Sequence, residues 1–419
     1  MSNAIDASLL CSHAFARCLS GCLAVGALAV TGSIALLSLA WRRYNLPLPF
    51  PRGPQSRADN SPAFDTVDGR APRAEVVHQF YAVPGPDVKF IQLSQGKVRY
   101  ILRGPANGNG SPGAAGEDSD PGQSHSLASA SSSSIGIGGD KRTVVVLVHG
   151  FSIAADIWKQ QADHLVAAGY TVLSFDNYGR GWSDAPDNVA YDARLYVAQI
   201  AELLFALGIH GPIDLIGVSM GGAIVTEFAA KYPSRVRKLG LVCPAGLPMP
   251  IAGSSPFAAS LAWPVFGAML FKRMIPSMQA RGAAAQWEGD AASPAYESWG
   301  AFAAQNIREH PGFVRTLHRT VIEFPMFNQT PNYARLVAQG TAARTLIIWG
   351  EKDGLTPYAN AAKLHAALPG SQLVTIVGAK HNMLIERAQP ISETIQAWIE
   401  GKQLPERVNR SVHEGLEGQ

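Results

Sequence analysis

An alternation of short apolar runs with helix-like segments, which begins near residue 143, constrains the fold of this chain more than any other feature. The first run, residues 144–148, consists only of Val and Leu, as is typical of a strand covered on both faces. Further strands are predicted at 171–175, 213–218, 239–242, 345–349 and 373–377, with helices at 156–168, 193–207, 220–232, 358–368 and 391–400. Repeated strand–helix units predict an α/β fold, a doubly wound and mostly parallel sheet with helices on both faces.

Two segments interrupt this core, which is predicted to occupy residues 88–246 and 341–402 and to begin with a β-hairpin. The segment 105–140 is rich in Gly, Ser, Ala and Pro with almost no large apolar residue, so a disordered insertion is predicted there. The segment 247–340 has a helical pattern without a convincing strand, which indicates a helical cap inserted between two strands. The polar residues 403–419 are interpreted as a flexible tail.

The N-terminal residues 1–44 predict a membrane anchor. Their stretch 18–41 has no charged side chain and is long enough, at ~1.5 Å per helical residue, to cross a bilayer. More arginines follow this stretch than precede it, which places the rest of the chain in the cytosol. A cleaved signal peptide is the alternative, because residues 38–40 resemble a cleavage site, but the apolar run exceeds the usual length. Residues 45–87 are rich in Pro and Arg and are interpreted as a linker.

Composition excludes several classes of protein and site. The net charge is +3 and there is no long basic run, so we expect no nucleic-acid partner. Three of the four cysteines lie within the first 22 residues and the fourth, Cys243, stands alone, which excludes a disulfide framework. The glycines at 136–139 precede a strand instead of following one and are therefore not a dinucleotide fingerprint. No cofactor and no metal are predicted.

The most informative short segment is Gly-Val-Ser-Met-Gly at positions 217–221. It follows an apolar strand and precedes an amphipathic helix, which is the context of the G-x-S-x-G turn that exposes a nucleophilic serine. An ordinary glycine-rich turn is the alternative, and the flanking strand and helix disfavour it. We therefore predict that Ser219 is a nucleophile.

A serine hydroxyl needs a base and an orienting carboxylate to react. Asp353 follows the strand 345–349 and His381 follows the strand 373–377, so both leave the carboxyl edge of the predicted sheet, where open α/β sheets bind ligands. We predict Asp353 as the acid and His381 as the base. Glu351, two residues before Asp353, is the alternative acid.

An acyl-transfer reaction also needs N–H donors for the oxyanion. The predicted donors are the backbone N–H groups of Phe151, in the loop after the first core strand, and Met220, directly after the nucleophile. His149 in the same loop is interpreted as structural, because His381 already supplies a base.

Together, the His149–Phe151 motif, the Asp-Asn-Tyr-Gly-Arg-Gly-Trp-Ser-Asp segment at 176–184, the serine turn and the loops of Asp353 and His381 resemble the α/β-hydrolase fold superfamily. The segment Leu-Val-Cys-Pro-Ala-Gly-Leu at 241–247, with one N-terminal anchor, is similar to the membrane-bound monoacylglycerol lipases.

This resemblance implies a cytosol-facing serine hydrolase that cleaves acyl esters, of lipid-like substrates such as monoacylglycerol, through an acyl-enzyme. Carbon–carbon hydrolases and cofactor-free peroxidases share nearly the same motifs and form the alternative. A non-catalytic binding protein that retains the fold is a further hypothesis.

Overall fold

The computed structural model describes residues 87–105, 143–248, 263, 266–289, 296, 306–307, 310 and 312–409. The predicted anchor, almost all of the linker, most of the Gly/Ser-rich insertion, parts of the cap and the end of the tail lie outside these residues. Among the helices that are described, none is long and apolar enough to cross a membrane.

A single sheet organises the part of the chain that is described. Its strands are β1 (Val88–Leu93), β2 (Gly96–Arg103), β3 (Val145–Val148), β4 (Val172–Phe175), β5 (Ile213–Val218), β6 (Val236–Val242), β7 (Thr345–Gly350), β8 (Gln372–Ile376) and β9 (Arg407–Val408). Their order across the sheet is β1-β2-β4-β3-β5-β6-β7-β8-β9. The β1–β2 hairpin pairs antiparallel to β4 and all other neighbours are parallel, which confirms the predicted mostly parallel α/β sheet.

Helices cover both faces of this sheet. Those described are α1 (Lys159–Ala167), α2 (Ala193–Ala206), α3 (Met220–Lys231), α4 (Phe266–Ala285), α5 (Phe313–Glu323), α6 (Thr330–Ala338), α7 (Ala359–Ala367), α8 (Met383–Glu386) and α9 (Ala388–Ile399). Helices α1 and α9 pack on each other, while α2 and α6 pack on α3. Every residue of β3, β4, β5 and β7 is buried, which explains why their sequences are mostly apolar and do not alternate between apolar and polar residues.

The described part of the predicted cap contains α4, α5 and α6 and no strand. Helices α4 and α5 form their own small apolar cluster through Phe271, Ile275, Phe313 and Leu317, and Phe151 of the core packs against it. Helix α6 instead buries Tyr333 and Leu336 in the main core cluster. The end of the predicted cap is therefore part of the core packing.

The tail that was predicted to be flexible contains one short strand. Residues Arg407 and Val408 form β9, which pairs parallel to β8. The Arg407 guanidinium also binds the Glu351 carboxylate at 2.5 Å. A strand of two residues, one of them charged, is too short to show an apolar pattern and is therefore not predictable from the sequence. Backbone pairing with β8 holds these two residues in a strand.

Candidate active site

Ser219 occupies a strained turn between β5 and α3. Its φ is 53° and its ψ −121°, a conformation that side chains rarely adopt and that costs about 1–3 kcal/mol. Backbone hydrogen bonds hold the turn: Ser219 N–H donates to the Val242 carbonyl at 3.0 Å, and the Ser219 carbonyl accepts from Gly222 and Ala245, each at 2.9 Å. The turn therefore lies beside the end of β6 and leaves the serine half-buried.

Glycines permit this turn because backbone atoms of other residues occupy the space that a side chain would need. A Cβ at Gly221 would lie 2.3 Å from the Val148 carbonyl oxygen, and a Cβ at Gly217 would lie 2.3 Å from the Gly221 oxygen. Atoms cannot approach so closely, so any side chain at either position would force the strand and helix apart. The G-x-S-x-G spacing is thus a steric requirement of this fold.

Asp353 and His381 form a hydrogen-bonded pair at the same edge of the sheet. Asp353 follows β7, His381 follows β8, and His381 Nδ1 lies 2.7 Å from Asp353 Oδ2. Three further donors fix the carboxylate: the N–H groups of Leu355 and Thr356 donate to Oδ1, both at 2.9 Å, and Thr356 Oγ1 donates to Oδ2 at 2.8 Å. Asp353 is fully buried, and its carboxylate has one orientation.

Burial acts to raise the pKa of Asp353, but the positive charge of His381 and hydrogen bonds from His381 and Thr356 outweigh it. The pKa of Asp353 therefore stays below its ordinary value. At neutral pH this group is an ionised carboxylate, which is able to stabilise a positive charge on the His381 imidazole.

Cys243, directly after β6, lies beside the Asp353–His381 pair. Its Sγ and potential ligand atoms of Asp353 and His381 all lie within 4.8 Å of one another. Three such side chains are a possible metal-ligand set. Here Asp353 and His381 bind each other, and burial, followed by the charge of Asp353, raises the pKa of the Cys243 thiol well above its ordinary value. The donor chemistry thus favours an acid–base pair over a metal site.

The other side of the His381 ring is available for proton transfer. Within the described part of the chain, neither His381 Nε2 nor the Ser219 hydroxyl makes a hydrogen bond, so the two do not bond to each other in this structure. Such bonds often tighten only when a substrate is bound.

Glu351, the alternative acid, does not contact His381. Its carboxylate binds Arg407 and accepts from the Gly378 N–H at 3.0 Å. Hydrogen bonding to Arg407, and then to Gly378, lowers the pKa of this half-buried carboxylate. Of the two candidate acids, the structure joins Asp353 to His381.

The loop His149–Phe151 lies against the nucleophile. A Cβ at Gly150 would lie 3.3 Å from Ser219 Cβ. The buried His149 imidazole lies 2.8 Å from the Gly150 carbonyl through Nδ1 and accepts from the Asn177 N–H at 2.9 Å through Nε2. Burial lowers the pKa of His149 to about 3, so the ring is neutral and serves to hold the loop.

The two predicted oxyanion donors are unpaired. Among the described residues, the backbone N–H of Phe151 and that of Met220 donate to no other group. Unpaired N–H groups beside a nucleophile are what a developing oxyanion requires.

Two residues that contribute to this site carry no obvious sequence signal. Thr356 holds Asp353, and an Asp followed three residues later by Thr is a weak turn pattern that could have indicated it. Cys243 has a φ of 39°, and no local pattern in the sequence predicts this.

Comparisons with known proteins identify the family of this fold. The chain is 24% identical over 260 residues to Lipase 3 of Moraxella sp. (strain TA144), which covers 61% of this chain and 77% of that protein. It is 27% identical over 266 residues to the non-heme chloroperoxidase of Streptomyces lividans, covering 61% of this chain and 91% of that one. The solved structure of a bromoperoxidase from Bacillus anthracis is similar with a TM-score of 0.54 and 19% identity, over 75% of this chain and 99% of that chain.

The family model of the α/β hydrolase fold matches residues 143–388, more than half of the 419 residues. This range contains Ser219, Asp353 and His381 as well as both predicted oxyanion donors. The chain belongs to the α/β-hydrolase fold family.

Proposed function

We propose that this chain is a serine hydrolase that cleaves carboxylic (acyl) esters. The observation that carries the proposal is the His381–Asp353 pair, 2.7 Å apart, at the same edge of the sheet as the strained turn that holds the half-buried Ser219. A nucleophile, a base and an ionised acid on three neighbouring loops are the constellation of acyl transfer. Relatives that include a lipase support hydrolase chemistry.

In the proposed mechanism, Ser219 Oγ attacks the ester carbonyl while His381 Nε2 accepts the serine proton. The Asp353 carboxylate stabilises the resulting imidazolium. The N–H groups of Phe151 and Met220 hold the oxyanion of the tetrahedral intermediate. The C–O bond to the leaving alcohol breaks as His381 returns the proton to it. Water then attacks the acyl-enzyme with the same base, releases the acid and restores the serine.

A lipid-like ester, such as a monoacylglycerol, is the substrate class that we propose. The apolar cluster of α4 and α5 contains Phe271, Ile275 and Phe313, and the partly buried Phe151 packs against it. An apolar cluster beside a predicted oxyanion donor suits an acyl chain better than a charged substrate.

Membrane attachment through residues 1–44, with the catalytic domain in the cytosol, completes the proposal. The uncharged stretch 18–41 and the arginines after it support the proposal. Extraction of membranes at alkaline pH tests it: an anchored protein stays in the pellet, and release into the supernatant contradicts the anchor.

Hydrolysis by the detergent-solubilised full chain tests the function. Wild type and Ser219→Ala should be compared on monoacylglycerols with short, medium and long acyl chains. We expect fatty acid release by wild type only, with a preference among chain lengths. A folded wild type that hydrolyses no ester would contradict the proposal.

A cofactor-free peroxidase is the second candidate, because two similar proteins are haloperoxidases by name. It uses the same three residues, and peroxide-dependent halide oxidation without ester hydrolysis would favour it. A carbon–carbon hydrolase stays a prediction from the motifs.

A further inference from the structure

Arg180, in the loop after β4, is completely buried beside the predicted oxyanion donor Phe151. Its Nε donates to the Phe151 carbonyl at 3.1 Å. Nη1 donates to the Tyr178 carbonyl at 3.0 Å and to the Tyr196 hydroxyl at 2.9 Å. Nη2 donates to Thr320 Oγ1 on α5 at 2.8 Å. One guanidinium thus joins the 149–151 loop, the β4 loop, helix α2 and helix α5 of the predicted cap.

The acceptors of Arg180 are all neutral. Arg99, which is equally buried, pairs with the carboxylates of Asp156 and Asp176. Among the described residues no carboxylate pairs with Arg180, whose guanidinium instead lies over the rings of Phe151 at 5.7 Å and Tyr196 at 5.8 Å. A buried cation without an anionic partner is costly to fold, so a role in fold stability alone explains it poorly.

The geometry of the guanidinium makes Arg180 suited to hold several groups in fixed positions. A guanidinium is planar, and its donors have fixed directions, so four simultaneous bonds hold their acceptors in one arrangement. The Phe151 carbonyl is one of these acceptors. Holding it fixes the peptide plane between residues 151 and 152, which adjoins the plane that carries the Phe151 N–H. A second bond between the same elements, from Thr316 Oγ1 to the Gly179 carbonyl at 3.1 Å, keeps α5 against the β4 loop.

We propose that Arg180 is a positioning residue that fixes the Phe151 backbone to helix α5 and thereby aims the Phe151 N–H at the oxyanion. This inference rests on the proposed function. It links oxyanion stabilisation to the predicted cap, because the guanidinium that holds Phe151 is itself held by Thr320. Arg180 touches no reacting atom in the proposed mechanism and acts only through Phe151.

The first test uses Arg180→Met, Arg180→Lys and Thr320→Val in the full chain, with Arg235→Lys as the control. Arg235 also donates to a backbone carbonyl, that of Ile209, and is far from the candidate site in the fold. All rates are expressed per titrated active site, so that unfolded protein does not count. A soluble aryl ester gives kcat and KM, and a trifluoromethyl ketone, which forms an oxyanion on the serine, gives an inhibition constant.

We expect kcat of Arg180→Met to fall roughly 10-fold to 100-fold, below the loss of a whole oxyanion donor. KM should stay within about threefold, and the ketone inhibition constant should rise by the same factor as kcat/KM falls. Arg180→Lys should recover part of the rate, Thr320→Val should lose about threefold, and the control should match wild type. Unchanged kcat per titrated site, or a raised KM with unchanged ketone affinity, would overturn the proposal.

Amide hydrogen exchange tests the same inference without relying on ester hydrolysis. In Arg180→Met, amides in residues 150–158 and in α5 should exchange faster than in wild type, while Arg235→Lys should not change them. If wild type hydrolyses no ester, the proposed function fails, and this measurement still decides whether Arg180 fixes the loop. Equal exchange in all variants contradicts it. If Arg180→Met does not fold, Thr320→Val takes its place in both tests.

Discussion

The two sides of the candidate site are held by different physical means. On the nucleophile side, Ser219 is placed by its backbone, with a φ of 53°, backbone hydrogen bonds and two glycines that let strand and helix approach. On the acid side, Asp353 is placed by hydrogen bonds from His381, Leu355 and Thr356. The nucleophile side depends on backbone packing in which no side chain fits at the two glycines, and the acid side depends on hydrogen bonds to one carboxylate.

The two sides should therefore respond differently to substitution. A small shift cannot relieve the overlap of backbone atoms, so a single added methyl group should destroy the serine turn. Hydrogen bonds are individually worth about 1 kcal/mol, so the acid side should lose function in graded steps.

The largest effect is expected for Gly221→Ala. Its Cβ would lie 2.3 Å from the Val148 oxygen and 2.6 Å from the His149 oxygen. We expect the free energy of unfolding to fall by roughly 3 kcal/mol and activity to be lost. Gly282→Ala in α4 is the control, because among the described residues no atom beyond its chain neighbours and its own helix backbone would lie within 4 Å of the added Cβ. It should change stability by at most about 1 kcal/mol. Equal behaviour of the two variants in denaturant titrations would contradict the steric account.

Asp353→Asn should lower kcat by about 10²-fold to 10⁴-fold, because an amide leaves His381 without a negative partner. The Asn side-chain oxygen is still able to accept the Leu355 and Thr356 N–H groups, so the fold should persist. Steady-state kinetics on titrated enzyme measures the effect. Retention of wild-type kcat would remove Asp353 from the mechanism.

Thr356→Val should have a smaller effect on the same side. It removes the hydroxyl that donates to Asp353 Oδ2 at 2.8 Å and leaves the backbone donor in place. We expect kcat to fall by about threefold to tenfold and stability by about 1 kcal/mol. Thr356→Ser keeps the hydroxyl and should behave like wild type; if it behaves like Thr356→Val instead, the hydroxyl is not the relevant group.

The pKa of Asp353 also predicts a pH dependence of stability. Because the folded pKa lies below the unfolded value of about 4, the ionised carboxylate stabilises the fold above that pH, and this contribution is lost as pH falls through the folded pKa. The stability of wild type relative to Asp353→Asn should therefore be greatest near neutral pH and decline below about pH 4. Denaturant titrations of both proteins at several pH values test this. A stability difference that grows as the pH falls would contradict the prediction.

The smallest effect is expected for Glu351→Gln. It breaks an ion pair with Arg407 at the surface, and surface pairs contribute at most about 1 kcal/mol. Activity should stay within about twofold of wild type, because this carboxylate does not contact His381. A loss as large as that of Asp353→Asn would make Glu351 the acid after all.

The sequence predicted those features that are local. Ser219 lies between a strand and a helix in a spacing with a steric cause, and Asp353 and His381 each follow an apolar strand. The parallel sheet then brings strand ends to one edge, so the order of elements was enough to expect these residues together.

What the sequence could not predict depends on contacts between distant segments. Arg180 and Thr320 are 140 positions apart, and neither position has a periodicity that indicates the other. The short strand β9 depends on backbone pairing with β8 and on the Arg407–Glu351 contact. The packing of α6 against the core could not be predicted for the same reason, because an apolar helical pattern does not identify the element against which the helix packs.

Labelling of the purified full chain with a fluorophosphonate, followed by mass mapping of the modified peptide, tests the role of Ser219 directly. We predict one adduct on Ser219, absent in Ser219→Ala and formed much more slowly in Asp353→Asn. A folded wild type that takes up no label, or that carries it on another residue, would contradict the assignment of Ser219, His381 and Asp353 as nucleophile, base and acid.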